Sequence, residues 1–229
     1  MKNIIKAIPI LGPLARRIYQ SFTNLTSSFP GSKEYWEQRY QSGGNSGAGS
    51  YSKLAEFKAD VLNDFVKKHH IETVIEYGCG DGNQLRLSEY PSYIGFDVSQ
   101  NAISLCSGMF TKDRTKKFKL LSEYRGEIAQ LTLSLDVIYH LIEDEVFSSY
   151  MVRLFTSSSH FVIVYASNSD GHQYSKAPHV KHRKFTNWVV ANQPNWELLQ
   201  FIPNKYPYIE NDNINGSFAD FYIYGRTNQ

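Results

Sequence analysis

Cysteine is nearly missing from this chain. Its 229 residues hold two, Cys79 and Cys106, far apart in sequence and with neither a metal-ligand spacing nor a disulfide framework around them. A cystine-stapled scaffold is excluded, and a reducing, cytoplasmic setting is the expectation. An excess of one charge is missing too. Twenty-four Lys and Arg against 22 Asp and Glu leave a formal net charge of +2, which argues against a nucleic-acid glove and an acidic tail. No uninterrupted apolar run approaches the roughly 20 residues that a bilayer span needs. There is no internal repeat, and the only low-complexity stretch is GGNSGAGS at 43–50.

What is present falls into two parts. Residues 1–22, MKNIIKAIPILGPLARRIYQSF, carry Ile4, Ile5, Ile8, Ile10, Leu11 and Leu14, broken by Pro9, Gly12 and Pro13 and flanked by Lys2, Lys6, Arg16 and Arg17. The apolar part is too short to span a bilayer. It is followed by Arg16-Arg17 where a secretory signal has a small-residue cleavage site. Residues 1–30 are therefore expected as an amphipathic arm, either in the interface at the inner face of a membrane or packed on its own domain. Residues 31–229 are expected as one domain, because 41% hydrophobic and 14% aromatic content suffices for a full core.

Within that domain, SKEYWEQRYQ and LAEFKADVLNDFVKKHH read as helices on either side of the glycine-rich loop. A strand–helix rhythm follows: ETVIEY, NQLRLSEY, SYIGFDV, SQNAISLCSGMF with Ser99 as N-cap, KFKLL, LTLSLDVI, DEVFSSYMVRLF, HFVIVYAS and FTNWVVANQ. WELLQFIP and FADFYIYG close the chain with no helical signal between them, so they are expected to pair antiparallel. The fold class is α/β: a Rossmann-like, seven-stranded, mostly parallel sheet with helices on both faces and an antiparallel edge.

The densest signal is VIEYGCGDGNQL, where Gly78, Gly80 and Gly82 follow the first strand. In such sheets ligands bind beyond the carboxyl ends of the strands, where glycine lets the chain turn and approach them closely. The dinucleotide fingerprint is G-x-G-x-x-G, but here the third glycine comes one place early and Asn83 stands where the fingerprint wants Gly. A phosphate loop needs Lys and then Ser or Thr after its last glycine, and Asn83-Gln84 stand instead. Glu76, just before the first glycine, would repel phosphates but suits a ligand with an ammonium and a sulfonium, such as S-adenosylmethionine. Asp97, at the end of the second strand, can accept from both hydroxyls of a ribose.

ETVIEYGCGDGNQL, YIGFDVS and LSLDVIYHL together resemble the motifs of class I S-adenosylmethionine-dependent methyltransferases, over approximately residues 54–167. The resemblance implies that Glu76, Gly78, Gly80 and Gly82 line the methionine and ribose part, that Asp97 binds the ribose, and that Asp136 closes the site beside the donor. The chain departs from the family pattern in two places. SEYRGEIAQ is short for a full helix, and no acid is placed for the adenine amino group, with Ser122 and Glu123 the nearest candidates.

Methyl transfer from a sulfonium needs alignment and, for a hydroxyl acceptor, removal of a proton. His140, four residues after Asp136, is either that base or a structural histidine. YSKAPHVKHRKFTNW adds His179, Lys181, His182, Arg183 and Lys184, which either bind an anionic acceptor or form a solvated basic loop. His179 and His182 join His140 and Asp136 as catalytic candidates. They are not a metal pair, since H-x-x-H lacks Cys or carboxylate partners nearby. The 43–50 loop, with Trp36 and Tyr40 before it and Tyr51 after it, reads as a lid that excludes water. Tyr40, Tyr51, Tyr139 and Arg183 are the expected substrate contacts. DVIYH replaces the Pro-Pro-Tyr element that DNA and RNA amino-methyltransferases resemble each other in, which lowers nucleobase methylation. The expectation is O-methylation of a small molecule or of a membrane-associated glycan sugar. An NAD(P)-dependent reductase is disfavoured by the early third glycine and the missing Tyr-x-x-x-Lys. A non-catalytic donor-binding module is the third reading.

Overall fold

The structure, a computed structural model, describes residues 29–170, 177–210 and 215–227. Contacts divide the chain into Met1–Pro30 and Gly31–Gln229, and the second unit is the subject here. Of the expected N-terminal arm at 1–30, residues 1–28 lie outside the described residues.

Seven strands form one sheet: β1 (Thr73–Tyr77), β2 (Ser92–Asp97), β3 (Lys116–Leu120), β4 (Ala129–Leu135), β5 (Ser158–Ala166), β6 (Trp196–Ile202) and β7 (Asp220–Arg226). Their order is β3-β2-β1-β4-β5-β7-β6. β1 pairs in parallel with β2 on one side and β4 on the other, so the strand order reverses between β1 and β4. β7 inserts antiparallel between β5 and β6, which leaves β6 running with the first five strands. No helix lies between β6 and β7 among the described residues, and the chain returns antiparallel beside the strand it has just left.

Residues 162–166 of β5 are all buried, as in a strand covered on both faces. Strand alternation assigns the faces of β1. Val74 joins the core beside α2 (Ser52–Lys68), and Ile75 and Tyr77 join the core beside α4 (Asp144–Thr156). Glu76 therefore lies on the α2 side, as does Asp97 two residues on from Gly95 and four from Tyr93. Between β3 and β4 there is one short turn, Leu121–Glu123, and then irregular chain to Ala129, in keeping with the shortness of that segment.

The N-terminal helix of this unit, α1 (Ser32–Gln41), is clipped to the segment after β4. Ser32 donates through its N–H and its hydroxyl to the Glu143 carboxylate, at 3.0 and 2.6 Å, and accepts from the Ile142 N–H at 3.0 Å. α2 buries Leu54, Ala55, Lys58, Ala59, Leu62, Phe65 and Val66, a helical stripe in which one member is a lysine. α3 (Gln100–Met109) starts at Ser99, whose Oγ accepts from the Ala102 N–H. α5 (Phe185–Asn192) seats Phe185 and Val189 in the core beside α4.

Candidate active site

The residues singled out in the sequence gather at the carboxyl ends of β1, β2 and β4. Gly78, Gly80 and Gly82 all have positive φ, of 85°, 57° and 77°. A Cβ on Gly82 would meet Cys106 Sγ at 3.0 Å, so that glycine serves packing on α3. Gly80 faces the loop at 43–50, and a Cβ there would lie 2.3 Å from Ser46 Oγ and 2.9 Å from the Tyr40 hydroxyl. The backbone N–H of Gly80 donates to Asp97 Oδ2 at 3.0 Å, and that of Ser99 donates to Oδ1 at 2.9 Å. Each oxygen of Asp97 keeps acceptor capacity for a further donor. Glu123, an earlier candidate for the adenine end, caps its own turn by accepting from the Leu120 N–H, and β3 pairs Leu120 beside Asp97.

Two carboxylates of the site are buried, Glu76 at 5% exposure and Asp97 at 7%. Burial pushes Glu76 up to about 7, against the opposing hydrogen bond from the Tyr93 hydroxyl at 2.7 Å and the charge of Lys58. Burial likewise lifts Asp97 to about 6, opposed by its backbone donors. Two acids whose charged forms are disfavoured by the fold fit a cationic ligand and oppose an anionic one.

Asp136 follows β4 in the left-handed region, φ 60°, with its N–H donating to the Tyr165 carbonyl at 2.9 Å. Non-glycine residues hold that conformation only when the surroundings enforce it. Its carboxylate is held at both ends, by Lys58 Nζ at 2.7 Å and by the Tyr139 hydroxyl at 2.8 Å.

His140 comes in the short turn Ile138–His140, with Trp36 edge-on at 4.9 Å, Tyr139 at 4.5 Å and His179 stacked at 5.5 Å. Its Nδ1 lies 2.9 Å from the His179 carbonyl. A carbonyl can only accept, so the proton is on Nδ1 and Nε2 carries the lone pair. Burial lowers His140 to about 4, which keeps the ring neutral at physiological pH. His179 is sandwiched between His140 and the Tyr35 ring, 4.5 Å away.

Several expected substrate contacts are engaged within the protein instead. Tyr40 bonds Ser46 Oγ at 3.0 Å, Tyr51 donates to Asp81 Oδ2 at 2.8 Å, and Tyr139 braces Asp136. Arg183, expected to contact the acceptor, donates to the Leu141 and Ile142 carbonyls and to Asp144, because the chain after β4 leaves those acceptors unmatched beside it. Lys181 joins it on Asp144 at 2.7 Å, so these two basic side chains, read in the sequence as either an anion site or a solvated loop, meet a surface carboxylate of the same chain. His182, expected near the chemistry, is 5% exposed and bonded to Ser167 Oγ at 2.6 Å, which makes it part of the wall.

The loop at 43–50 is seated on the glycine motif. Ser46 donates its N–H to Asp81 Oδ2 at 2.9 Å and accepts the Asp81 N–H on Oγ at 3.0 Å, while Asn83 donates to the Ser50 carbonyl at 2.6 Å. Asp81 and Lys58 were missed as site residues. Asp81 stood in plain view between two glycines, and Lys58 signals itself by sitting in the apolar stripe of α2, four residues from Leu54 and from Leu62. The two cysteines, distant in sequence, are neighbouring free thiols under this motif, and the Cys106 thiol donates to the Gly80 carbonyl at 3.2 Å.

No protein-family model matches the chain, and no curated protein matches it in sequence. Solved structures do match in fold. The N-methyltransferase NodS of Bradyrhizobium japonicum, in complex with S-adenosyl-L-homocysteine, superposes with a TM-score of 0.65 at 11% identity, over 87% of this chain and all (100%) of that one. Magnesium protoporphyrin IX methyltransferase of Synechocystis, with bound S-adenosylhomocysteine, gives 0.58 at 12% identity, over 75% of this chain and 83% of its own. An S-adenosylmethionine-dependent methyltransferase of Clostridium acetobutylicum gives 0.55 at 10% identity, over 74% and 91%. The fold is that of the S-adenosylmethionine-dependent methyltransferases, in agreement with the sequence motifs.

Proposed function

We propose that the protein is an S-adenosylmethionine-dependent methyltransferase acting on a hydroxyl of a small molecule or glycan sugar. The observation that carries the donor assignment is the pair of buried acids Glu76 and Asp97 beside the left-handed Gly80 turn. That arrangement favours a cationic nucleoside ligand over a pyrophosphate. Asp97 would hold the ribose hydroxyls, Glu76 would supply negative charge to the methionine end, and Asp136 would close the site. The donor brings a methyl group already activated by positive sulfur. The chain's own residues then have to align an acceptor, exclude water and take up one proton.

For the proton, the fixed tautomer of His140 supports the reading. Its Nε2 is unprotonated at neutral pH, and the ring is held from the other side by a backbone carbonyl. The loop at 43–50 would act as a lid, latched to Asp81 through Ser46 and Tyr51 and lifted for donor entry. The acceptor class draws on the basic, apolar stretch at 1–30, which favours a glycan presented at a membrane surface; pelleting with anionic vesicles tests that part. Among the described residues no helix is long and apolar enough to cross a membrane.

Calorimetry with S-adenosylmethionine, S-adenosylhomocysteine and NADH tests the donor. Binding of both adenosyl compounds and not NADH is expected, and failure of both refutes the reading. Turnover on a panel of hydroxylated acceptors then separates an enzyme from a donor-binding module.

A further inference from the structure

Lys58 is the one Lys or Arg that is buried among the described residues, at 1% exposure in the middle of α2. Taking an ammonium out of water costs several kcal/mol even after relaxation, and a Leu or Met would continue the apolar stripe without that cost. The groups facing it are all at the site: Asp136 Oδ2 at 2.7 Å, the Tyr165 ring centroid at 5.2 Å, and the Glu76 carboxylate in electrostatic range. Its partner Asp136 is held in a left-handed backbone conformation with its second oxygen on Tyr139. The lid reaches the same carboxylate, because a Cβ on Gly49 would stand 2.8 Å from Asp136 Oδ2. Lys58 thus sits where the helix following the lid meets the end of β4.

We propose that Lys58 is a positioning residue of the donor site: its ammonium fixes the direction of the Asp136 carboxylate under the lid. This rests on the reading of Asp136 as lying beside the donor. Lys58 touches neither donor nor acceptor in this account; it acts through its contact with Asp136, with Glu76 the other carboxylate in range of its charge.

The test is a double-mutant cycle read by calorimetry with S-adenosylhomocysteine on the full chain at pH 8, using Lys58→Met, Asp136→Asn and the double variant, with Lys58→Arg beside them. Asp136→Asn and Lys58→Met should each weaken binding about tenfold, and the double variant should be no weaker than Asp136→Asn. Lys58→Arg, which keeps a positive charge beside Asp136, should recover most of the affinity that Lys58→Met loses. Should Lys58→Met fail to fold with its carboxylate left unpaired, the double variant, which removes both charges, carries the comparison with Asp136→Asn. Wild-type affinity in Lys58→Met, no recovery in Lys58→Arg, or a double variant weaker than Asp136→Asn overturns the proposal. A wild-type chain that binds neither adenosyl compound overturns the donor reading itself and this inference with it.

Discussion

Asp97 does two jobs with one carboxylate, tying the Gly80 turn to the start of α3 while leaving acceptor capacity toward the site. Asp97→Ala should therefore weaken donor binding by roughly 1.5–3 kcal/mol, the range for charge-assisted hydrogen bonds, and calorimetry on the folded variant reads it directly. An unchanged dissociation constant would remove Asp97 from the site. The thiols make a second prediction at this scale. The neighbouring Cys106 thiol and burial raise Cys79 well above the usual thiol range, and both side chains are buried. Native protein should react with an aromatic disulfide reagent far more slowly than unfolded protein does, because the thiolate is the reactive species. Single residues were also where the sequence was hardest to read. Glu76, Asp97 and Asp136 announced themselves by following apolar strands, whereas Arg183 looked like a ligand contact and is consumed by two carbonyls and Asp144. A basic residue in sequence does not say whether an acceptor waits for it in the fold.

The elements were legible because their signals are local: apolar runs of strand length, the stripe of α2, the Ser99 cap. Absence of a helix between the last two strands also foretold their antiparallel pairing, although the insertion of β7 between β5 and β6 is a long-range choice that no local pattern encodes. The loop at 43–50 is the clearest gap. Its Gly and Ser content said only that it could not be regular, while its seating depends on Asp81, Asn83 and Tyr51. Gly80→Ala probes that seating. The substitution places a side chain at φ 57° and within 2.3 Å of Ser46 Oγ, and a left-handed non-glycine residue costs roughly 1–2 kcal/mol before any clash. The variant should lose about that much stability by denaturant titration, and its 43–50 loop should be cut about tenfold faster by a nonspecific protease.

Across the whole molecule, the site's charges act on stability and function in opposite senses. Glu76 is raised from 4.5 to about 7 in the fold, so its ionised form is the disfavoured one. The resulting penalty is fully present above about pH 7 and has vanished below about pH 4.5, where the acid is protonated in both states. Glu76→Gln should accordingly be more stable than wild type at pH 8, by on the order of a few kcal/mol, and lose that advantage at pH 4.5; denaturation at the two pH values measures it. The same variant should bind S-adenosylmethionine more weakly. Wild-type affinity for this cation should decline as pH falls from 8 to 5 and the two acids take up protons, which calorimetry in buffers of different ionisation enthalpy detects. The clip between Ser32 and Glu143 bears on how such a molecule assembles. It joins residues 111 apart, and the Lys58–Asp136 pair joins residues 78 apart, whereas neighbouring strands β1 and β2 meet across a single short connection. Closing long loops is slow, and the clip on Ser32 spans more of the chain than any pairing of neighbouring strands, so α1 should dock last. Amides of α1 should then exchange with solvent earlier than those of β4 and β5, and on heating the capacity to hold a ligand should disappear before the strands do.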